Sequence, residues 1–114
     1  MDAIVVIISV ASYEEAETIG AYLVEKRLAA CANIISGVHS IFFWDGKQCR
    51  EQESLILLKT RRTLFDPLCA EVKKIHSYSV PEIIALPIVA GSNSYLQWVE
   101  ENTHPDPNPP PGRR

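Results

Sequence analysis

The sequence predicts an α+β domain in which two helices cover one face of a four-stranded antiparallel sheet. Three observations predict this fold class. A β-branched run opens the chain, an Asp-Gly pair divides a long apolar stretch into two arms, and two segments with helical periodicity separate the strands. With 114 residues, 46% of them hydrophobic and 22% charged, the chain has the size and composition of one globular domain.

The first strand is predicted over Ala3–Val10, which reads Ala-Ile-Val-Val-Ile-Ile-Ser-Val. Because apolar and polar residues do not alternate, the run is typical of a strand buried on both faces. A helix follows, with Ser12 as its cap and Glu15 completing a capping box. The apolar positions that keep the helical period are Ala16, Ile19, Leu23 and Leu28.

The central feature is a long hairpin with arms Cys31–Trp44 and Lys47–Thr60, joined by Asp45-Gly46. Asp-Gly between apolar runs indicates a type I′ turn, and a two-residue turn sets the pairing of the arms. Gly37, in the middle of the first arm, predicts a bulge. The resulting partners include Trp44 with Lys47, Phe42 with Cys49, Val38 with Glu53 and His39 with Gln52.

A second helix is predicted from about Leu64 to Ile75, with Thr63 as its cap and Pro67 within its first turn. A further strand follows over Glu82–Val89. Pro87 has no N–H to donate to a ladder, so we expect this strand at an edge of the sheet or bulged at the proline.

The chain is predicted to end in a short helix, from about Ser94 to Glu101, preceded by a simple Gly-Ser cap. The last eleven residues contain five prolines and read as an extended or disordered tail. We therefore expect one domain over residues 1–103 and a tail over 104–114.

The element order β-α-β-β-α-β plus a C-terminal helix is the ferredoxin-like split βαβ pattern. Right-handed crossovers place both main helices on the same face of the sheet. The first strand and the parts of the hairpin arms far from the turn, Ile34-Ile35 and Leu55–Leu58, are apolar on both faces, so sheet surface remains uncovered. Such a surface implies a partner, most simply further copies of the chain.

Composition also limits the classes of function. The net charge of −3 and the absence of a basic run exclude a phosphate-tracking surface, so no nucleic-acid partner is expected. No apolar run is long enough to span a membrane, and the first residues lack a signal-peptide pattern, which favours a cytoplasmic protein. The three cysteines, Cys31, Cys49 and Cys69, form no Cys-x-x-Cys pair. No catalytic pattern indicates a reaction type, so we do not expect an enzyme.

Several short motifs occur in order along the chain: Leu28-Ala29-Ala30-Cys31-Ala32-Asn33, Trp44-Asp45-Gly46-Lys47, Glu53, Leu58-Lys59-Thr60, His76-x-Tyr78-x-x-Pro81-Glu82-Ile83 and Tyr95-Leu96-x-Trp98. Taken together, they resemble the CutA family of divalent-cation tolerance proteins over roughly residues 4–102. The resemblance implies a ferredoxin-like homotrimer whose hairpins extend the sheets between subunits. It also implies a cytosolic location, binding of copper or another divalent ion, and a role in metal tolerance. The family usually carries a carboxylate where Ser79 stands.

His76 and Cys31 are the predicted metal ligands, because imidazole and thiolate suit copper better than carboxylates do. The alternative for His76 is a helix C-cap, and the alternative for Cys31 is a small buried hydrophobe. Two donors do not close a site, so water or a neighbouring subunit must complete it.

A cleft between subunits is the second candidate site. Glu53 faces an apolar residue across the hairpin and needs a partner from elsewhere. The aromatic residues at the hairpin tip either form a ligand-stacking wall or dock into a neighbour, and the docking interpretation is preferred. The predicted cleft residues are Trp44, Glu53, Lys59, Tyr78 and Glu82.

Two functions of different class follow. The first is a trimer that binds divalent metal ions, copper most of all, and acts in metal tolerance. The second is a PII-like signalling or interaction module that binds a small anionic effector in clefts between subunits.

Overall fold

The computed structural model describes residues 1–104 and confirms the predicted fold class. Four strands, β1 (Ala3–Val10), β2 (Cys31–Trp44), β3 (Lys47–Arg61) and β4 (Ile83–Pro87), form one antiparallel sheet. Their order is β2-β3-β1-β4, which is the ferredoxin-like arrangement. Beyond His104 the predicted tail lies outside the described residues. Within residues 1–104, no helix is long and apolar enough to cross a membrane. The α-helices are α1 (Tyr13–Glu25), between β1 and β2, α2 (Phe65–Ile75), between β3 and β4, and α3 (Asn93–Glu101), after β4.

The hydrophobic core lies between the sheet and the two helices α1 and α2. Alternate residues of the two central strands face it: Ile8 of β1 pairs with Ile56 of β3, and both are fully buried. Burying such side chains contributes roughly 1.5–3 kcal/mol each. Other fully buried core residues are Val6, Val10, Ala16, Ile19, Leu23, Leu58, Leu68 and Val72.

The opposite face of the sheet is largely open in the single chain. Ile35 of β2 is 46% exposed, and Ile84 and Leu86 of β4 are 47% and 52% exposed. The apolar run of β1 is therefore covered completely on one side only, and Val5 and Ile7 on the other side are half-buried. This is the uncovered sheet surface that the sequence predicts.

The hairpin has the predicted register, with Trp44 opposite Lys47 and Val38 opposite Glu53. The ladder is irregular between Ile35 and Val38, and Gly37 between them has a φ of 75°, so the predicted bulge is confirmed. Because β1 ends opposite Ser54, the hairpin beyond this point projects past the sheet.

Three predicted details are wrong. A 3₁₀ turn over Arg62–Leu64 precedes α2, so Thr63 does not cap the helix; Leu64 takes the N-cap position without a side-chain hydrogen bond. β4 is shorter than predicted, although it does lie at the sheet edge, with Pro87 opposite Ile4. The capping box at α1 is incomplete. Ser12 Oγ accepts from the backbone amide of Glu15, but that carboxylate turns mainly to the loop after α2.

Candidate functional site

A groove of about 640 Å³ lies between the projecting hairpin and the loop that connects α2 to β4. The end of β1 contributes one residue to it, and the remaining walls come from the two arms of the hairpin and from the loop. Its volume falls within the range of small-molecule sites. The lining residues are Ser9, Ser40, Ile41, Phe42, Trp44, Glu51, Glu53, Ser77, Tyr78, Ser79, Val80 and Glu82.

Glu53 is the most constrained charged residue in the groove. Its side chain is only 8% exposed, and its Oε2 accepts a hydrogen bond from the Tyr78 hydroxyl at 2.7 Å. Burial, followed by the hydrogen bond to Glu53, raises the pKa of Tyr78 well above its ordinary value of 10. The phenol therefore stays protonated at neutral pH and remains the donor in this pair.

The loop after α2 is held to the rest of the fold by hydrogen bonds to carboxylates. Ser9 Oγ donates to Glu82 Oε1 at 2.9 Å. Ser77 donates from both its amide and its hydroxyl to Glu15, at 2.8 and 2.9 Å. Burial by itself would raise the pKa of Glu15. The two hydrogen bonds from Ser77 and one from the backbone amide of Ala11 instead lower this pKa below its ordinary value of 4.5. The loop that carries Tyr78 is thus anchored at two points.

The His76 side chain is completely buried, and both of its ring nitrogens have partners. Nδ1 accepts from the backbone amide of Tyr78 at 3.0 Å, so Nε2 carries the proton and donates to the carbonyl of Ser9 at 2.7 Å. These two hydrogen bonds together require the His76 ring to be a neutral imidazole. The ring thus joins the loop to β1 and offers no free lone pair in this conformation.

The ionisable side chains that line the groove are all acidic, apart from the Tyr78 phenol. Glu51, Glu53 and Glu82 contribute to its surface, and no lysine or arginine among residues 1–104 does. Within residues 1–104 Lys74 forms an ion pair with Glu71, and the neutral His76 ring lies 3.8 Å from Glu15, so none of the three groove carboxylates has a cationic partner there. Such a site favours a positively charged occupant.

Four of the five predicted cleft residues, Trp44, Glu53, Tyr78 and Glu82, line this groove. Lys59 does not. It lies six residues along β3 from Glu53, roughly 20 Å away for an extended strand, and its ammonium group donates to Asn33. That a second subunit completes the groove stays a prediction.

The two predicted metal ligands lie at different ends of the sheet. Cys31 pairs with Lys59, whereas the carbonyl bound by His76 belongs to Ser9, which pairs with Leu55. Four residues along a strand span roughly 13 Å, so the two donors cannot hold one ion within a chain. Residues 1–104 contain no cluster of three or more His, Cys, Asp or Glu side chains with metal-binding geometry.

Cys31 has its own polar neighbour, because its Sγ lies 3.5 Å from the Tyr95 hydroxyl of α3.

The sequence interpretation did not include Ser9 or Glu51 in the site. A signal for each was present: Ser9 is the polar residue within an apolar strand, and Glu51 lies two positions before Glu53 on the same face of β3.

Residues 4–102 match the family model described as CutA1 divalent ion tolerance protein. The chain is 52% identical over 99 residues to the divalent-cation tolerance protein CutA of Thermus thermophilus, covering 87% of this chain and 96% of that one. It is 42% identical to the chloroplastic protein CutA of Arabidopsis thaliana, covering 89% of this chain but only 56% of that relative.

Solved structures give the same result. The Thermus thermophilus divalent cation tolerance protein superposes with a TM-score of 0.87 at 50% identity, over 90% of this chain and 99% of that chain. A structure described as the periplasmic divalent cation tolerance protein CutA from Archaeoglobus fulgidus has a TM-score of 0.87 at 40% identity, over 90% and 99% of the two chains.

Proposed function

Because this chain belongs to the CutA1 divalent ion tolerance family, we propose that it is a cytoplasmic homotrimer that binds divalent metal ions, copper foremost, and so contributes to metal tolerance. The role is one of binding rather than catalysis. His76, which precedes the groove-lining Ser77, has both ring nitrogens occupied and therefore no lone pair with which to act as a general base.

The burial of the Glu53 carboxylate without a cationic partner in residues 1–104 is the observation that supports a preference for cations. Within residues 1–104 this carboxylate, which is 8% exposed, has one hydrogen bond and no cationic neighbour. A bound cation would supply the missing opposite charge. The same charge argues against the anionic effector considered as the alternative function, because such a ligand would meet three carboxylates.

For copper we propose His76 and Cys31 as donors at two separate positions. At His76, a metal ion would have to replace one of the two backbone hydrogen bonds of the ring. At Cys31, the thiol lies beside Tyr95, and further donors would come from water or a neighbouring subunit. Soft and imidazole donors favour copper over the other first-row divalent ions.

In a trimer, the neighbouring chains would cover the open face of the sheet. The exposed side chains of Ile84 and Leu86, together with the hydrophobic hairpin tip, form more apolar surface than one chain can bury. Two further copies around a threefold axis would bury this surface. All three cysteines are free thiols, which suits a reducing cytoplasm.

The test is calorimetric titration of the metal-free protein with Cu(II), and with Cu(I) under reducing conditions. We expect stoichiometric, submicromolar binding that weakens about ten-fold or more, about 1.4 kcal/mol, in His76→Ala or Cys31→Ser. The matched controls are His39→Ala on the hairpin and Cys49→Ser near its tip. Binding unchanged in both test variants would contradict the assigned donors, and no stoichiometric binding of any divalent ion would contradict the function.

A further inference from the structure

We propose that the first half of α3, residues 93–97, is a lid over the Cys31 thiol that opens while the C-terminal end of the helix stays attached to the fold. The inference rests on the copper-donor role proposed above for Cys31 and adds what controls access to that donor. The hydrogen bonds and buried contacts that lead to it lie within one chain and do not depend on how the outer surface of that chain is covered.

The lid contacts Cys31 through Tyr95. The Tyr95 hydroxyl lies 3.5 Å from Cys31 Sγ, and the Tyr95 ring stacks on the ring of Trp98, with the two centroids 5.8 Å apart. Cys31 is the first residue of β2, and its thiol is half-buried. Tyr95 is therefore part of the cover of this thiol.

The C-terminal end of α3 is held to the fold by two arginines. Arg27, just after α1, donates to Asn102 Oδ1 at 3.2 Å. Arg61, the last residue of β3, donates to the carbonyl of Thr103 from Nη2 at 2.6 Å and from Nε at 3.2 Å. Val99, Asn102 and Thr103 are all buried in the single chain. This end of the helix is thus built into the fold and can serve as the fixed end of a hinge.

The N-terminal end of α3 has no comparable attachment. The last backbone hydrogen bond of the preceding loop to the sheet joins the Ile88 amide to the Ala3 carbonyl, at 3.0 Å. None of the hydrogen bonds within residues 1–104 joins residues 89–94 to the sheet, α1 or α2. Ser92 Oγ accepts from the Tyr95 amide at 3.3 Å, which caps the helix but does not attach it. A segment attached in this way opens at a lower free energy than the core does.

The closed position also leaves one polar group of α3 without a partner. Trp98 Nε1 is buried, and no acceptor within residues 1–104 lies at hydrogen-bond distance from it. A buried N–H without an acceptor is unfavourable. Movement of the stacked Tyr95 would let water reach the Trp98 ring. The unpaired N–H therefore lowers the stability of the closed lid relative to the open one.

The experiment measures how fast iodoacetamide alkylates Cys31 in the metal-free full chain. Cys49→Ser and Cys69→Ser make Cys31 the sole cysteine. The same chain unfolded in urea gives the rate for an uncovered thiol. Each rate is measured over a range of chain concentrations, with the oligomer mass determined by sedimentation.

Two variants in this background open the lid by different means. Ser92→Ala removes the side-chain cap of α3, and Tyr95→Ala removes the side chain that contacts the thiol. The matched control is Ser12→Ala. It removes the equivalent cap of α1, where Ser12 Oγ accepts from the Glu15 amide at 3.1 Å, and so lowers stability without touching α3.

We expect the thiol of the folded chain to react more slowly than that of the unfolded chain. Loss of an N-cap should raise the rate about five-fold in Ser92→Ala, and Tyr95→Ala should raise it about ten-fold or more, with Ser12→Ala like the parent chain. A folded chain that reacts as fast as the unfolded one, or a rate that neither α3 variant changes, would overturn the proposal.

Two further outcomes separate the lid from the trimer and from copper binding. A rate that rises only on dilution, as the oligomer dissociates, would assign the cover to a neighbouring copy and overturn the proposal. Copper binding with alkylation rates that no α3 variant changes would overturn the lid and leave the proposed function intact. Rates that respond as expected in a chain that binds no copper would support the lid and contradict the proposed function alone.

Discussion

Replacing Tyr78 with phenylalanine removes the one hydrogen bond that the buried Glu53 carboxylate makes within residues 1–104. The bond is 2.7 Å long, and Glu53 is 8% exposed. The phenylalanine ring keeps the packing against His76, whose ring centroid lies 4.9 Å from that of Tyr78. The loss is therefore confined to the hydroxyl. Hydrogen bonds to charged groups contribute about 1.5–3 kcal/mol, so we expect the free energy of unfolding to fall by about 2 kcal/mol per chain.

The magnitude can be separated from other effects with a double-mutant cycle. In Glu53→Gln the acceptor is neutral, and a neutral hydrogen bond contributes only about 1 kcal/mol. Tyr78→Phe should thus cost about 1 kcal/mol less in that background than in wild type. The measurement is urea unfolding at pH 7 and fixed chain concentration, followed by circular dichroism. Tyr13→Phe is the matched control, since Tyr13 is 52% exposed. If Tyr78→Phe costs no more than Tyr13→Phe, Glu53 does not depend on this bond.

Three further predictions concern the anchor, the open sheet face and the hairpin. Because the folded-state pKa of Glu15 is lowered below 4.5, its contribution to stability is present above that pH and is lost as pH falls through the folded value. The unfolding free energies of wild type and Glu15→Gln should therefore converge as the pH is lowered. A difference that stays constant with pH would contradict the role of Glu15 in anchoring the loop after α2. Leu57→Asp should prevent assembly of the trimer, because a buried unpaired charge costs several kcal/mol. The control Tyr13→Asp should still assemble. A sedimentation mass of three chains for Leu57→Asp would contradict this prediction. Gly37→Ala should lower the unfolding free energy by about 1 kcal/mol because φ is 75° there, and equal stability would count against the bulge.

The hairpin shows what could be predicted from sequence. A two-residue turn fixes the pairing of both arms, so placing Asp45-Gly46 at the turn was enough to assign Trp44 to Lys47. The edge position of β4 followed from Pro87 for a similarly local reason, the missing N–H. The predicted cap at Thr63 is wrong because a 3₁₀ turn over Arg62–Leu64 places Leu64 at the N-cap position of α2.

The site could be predicted only in part. Glu53 and Tyr78 could each be named, but they are 25 positions apart and meet because the loop after α2 folds back towards the hairpin. The partners of His76 are backbone atoms of Ser9 and Tyr78, and a sequence pattern carries no signal for such contacts. Lys59 and Glu53 lie on the same face of β3, but strand alternation gives the face of a residue and not its distance along the strand.

Native mass spectrometry of the purified full chain, with and without Cu(II), tests the central claim most directly, because one spectrum reports both the number of chains and the number of ions bound. The account predicts a complex of three chains that gains copper in a fixed ratio to the chains. It also predicts that His39→Ala keeps this ratio while His76→Ala and Cys31→Ser lower it. A monomer that gains no copper at concentrations where the controls are folded would contradict the account.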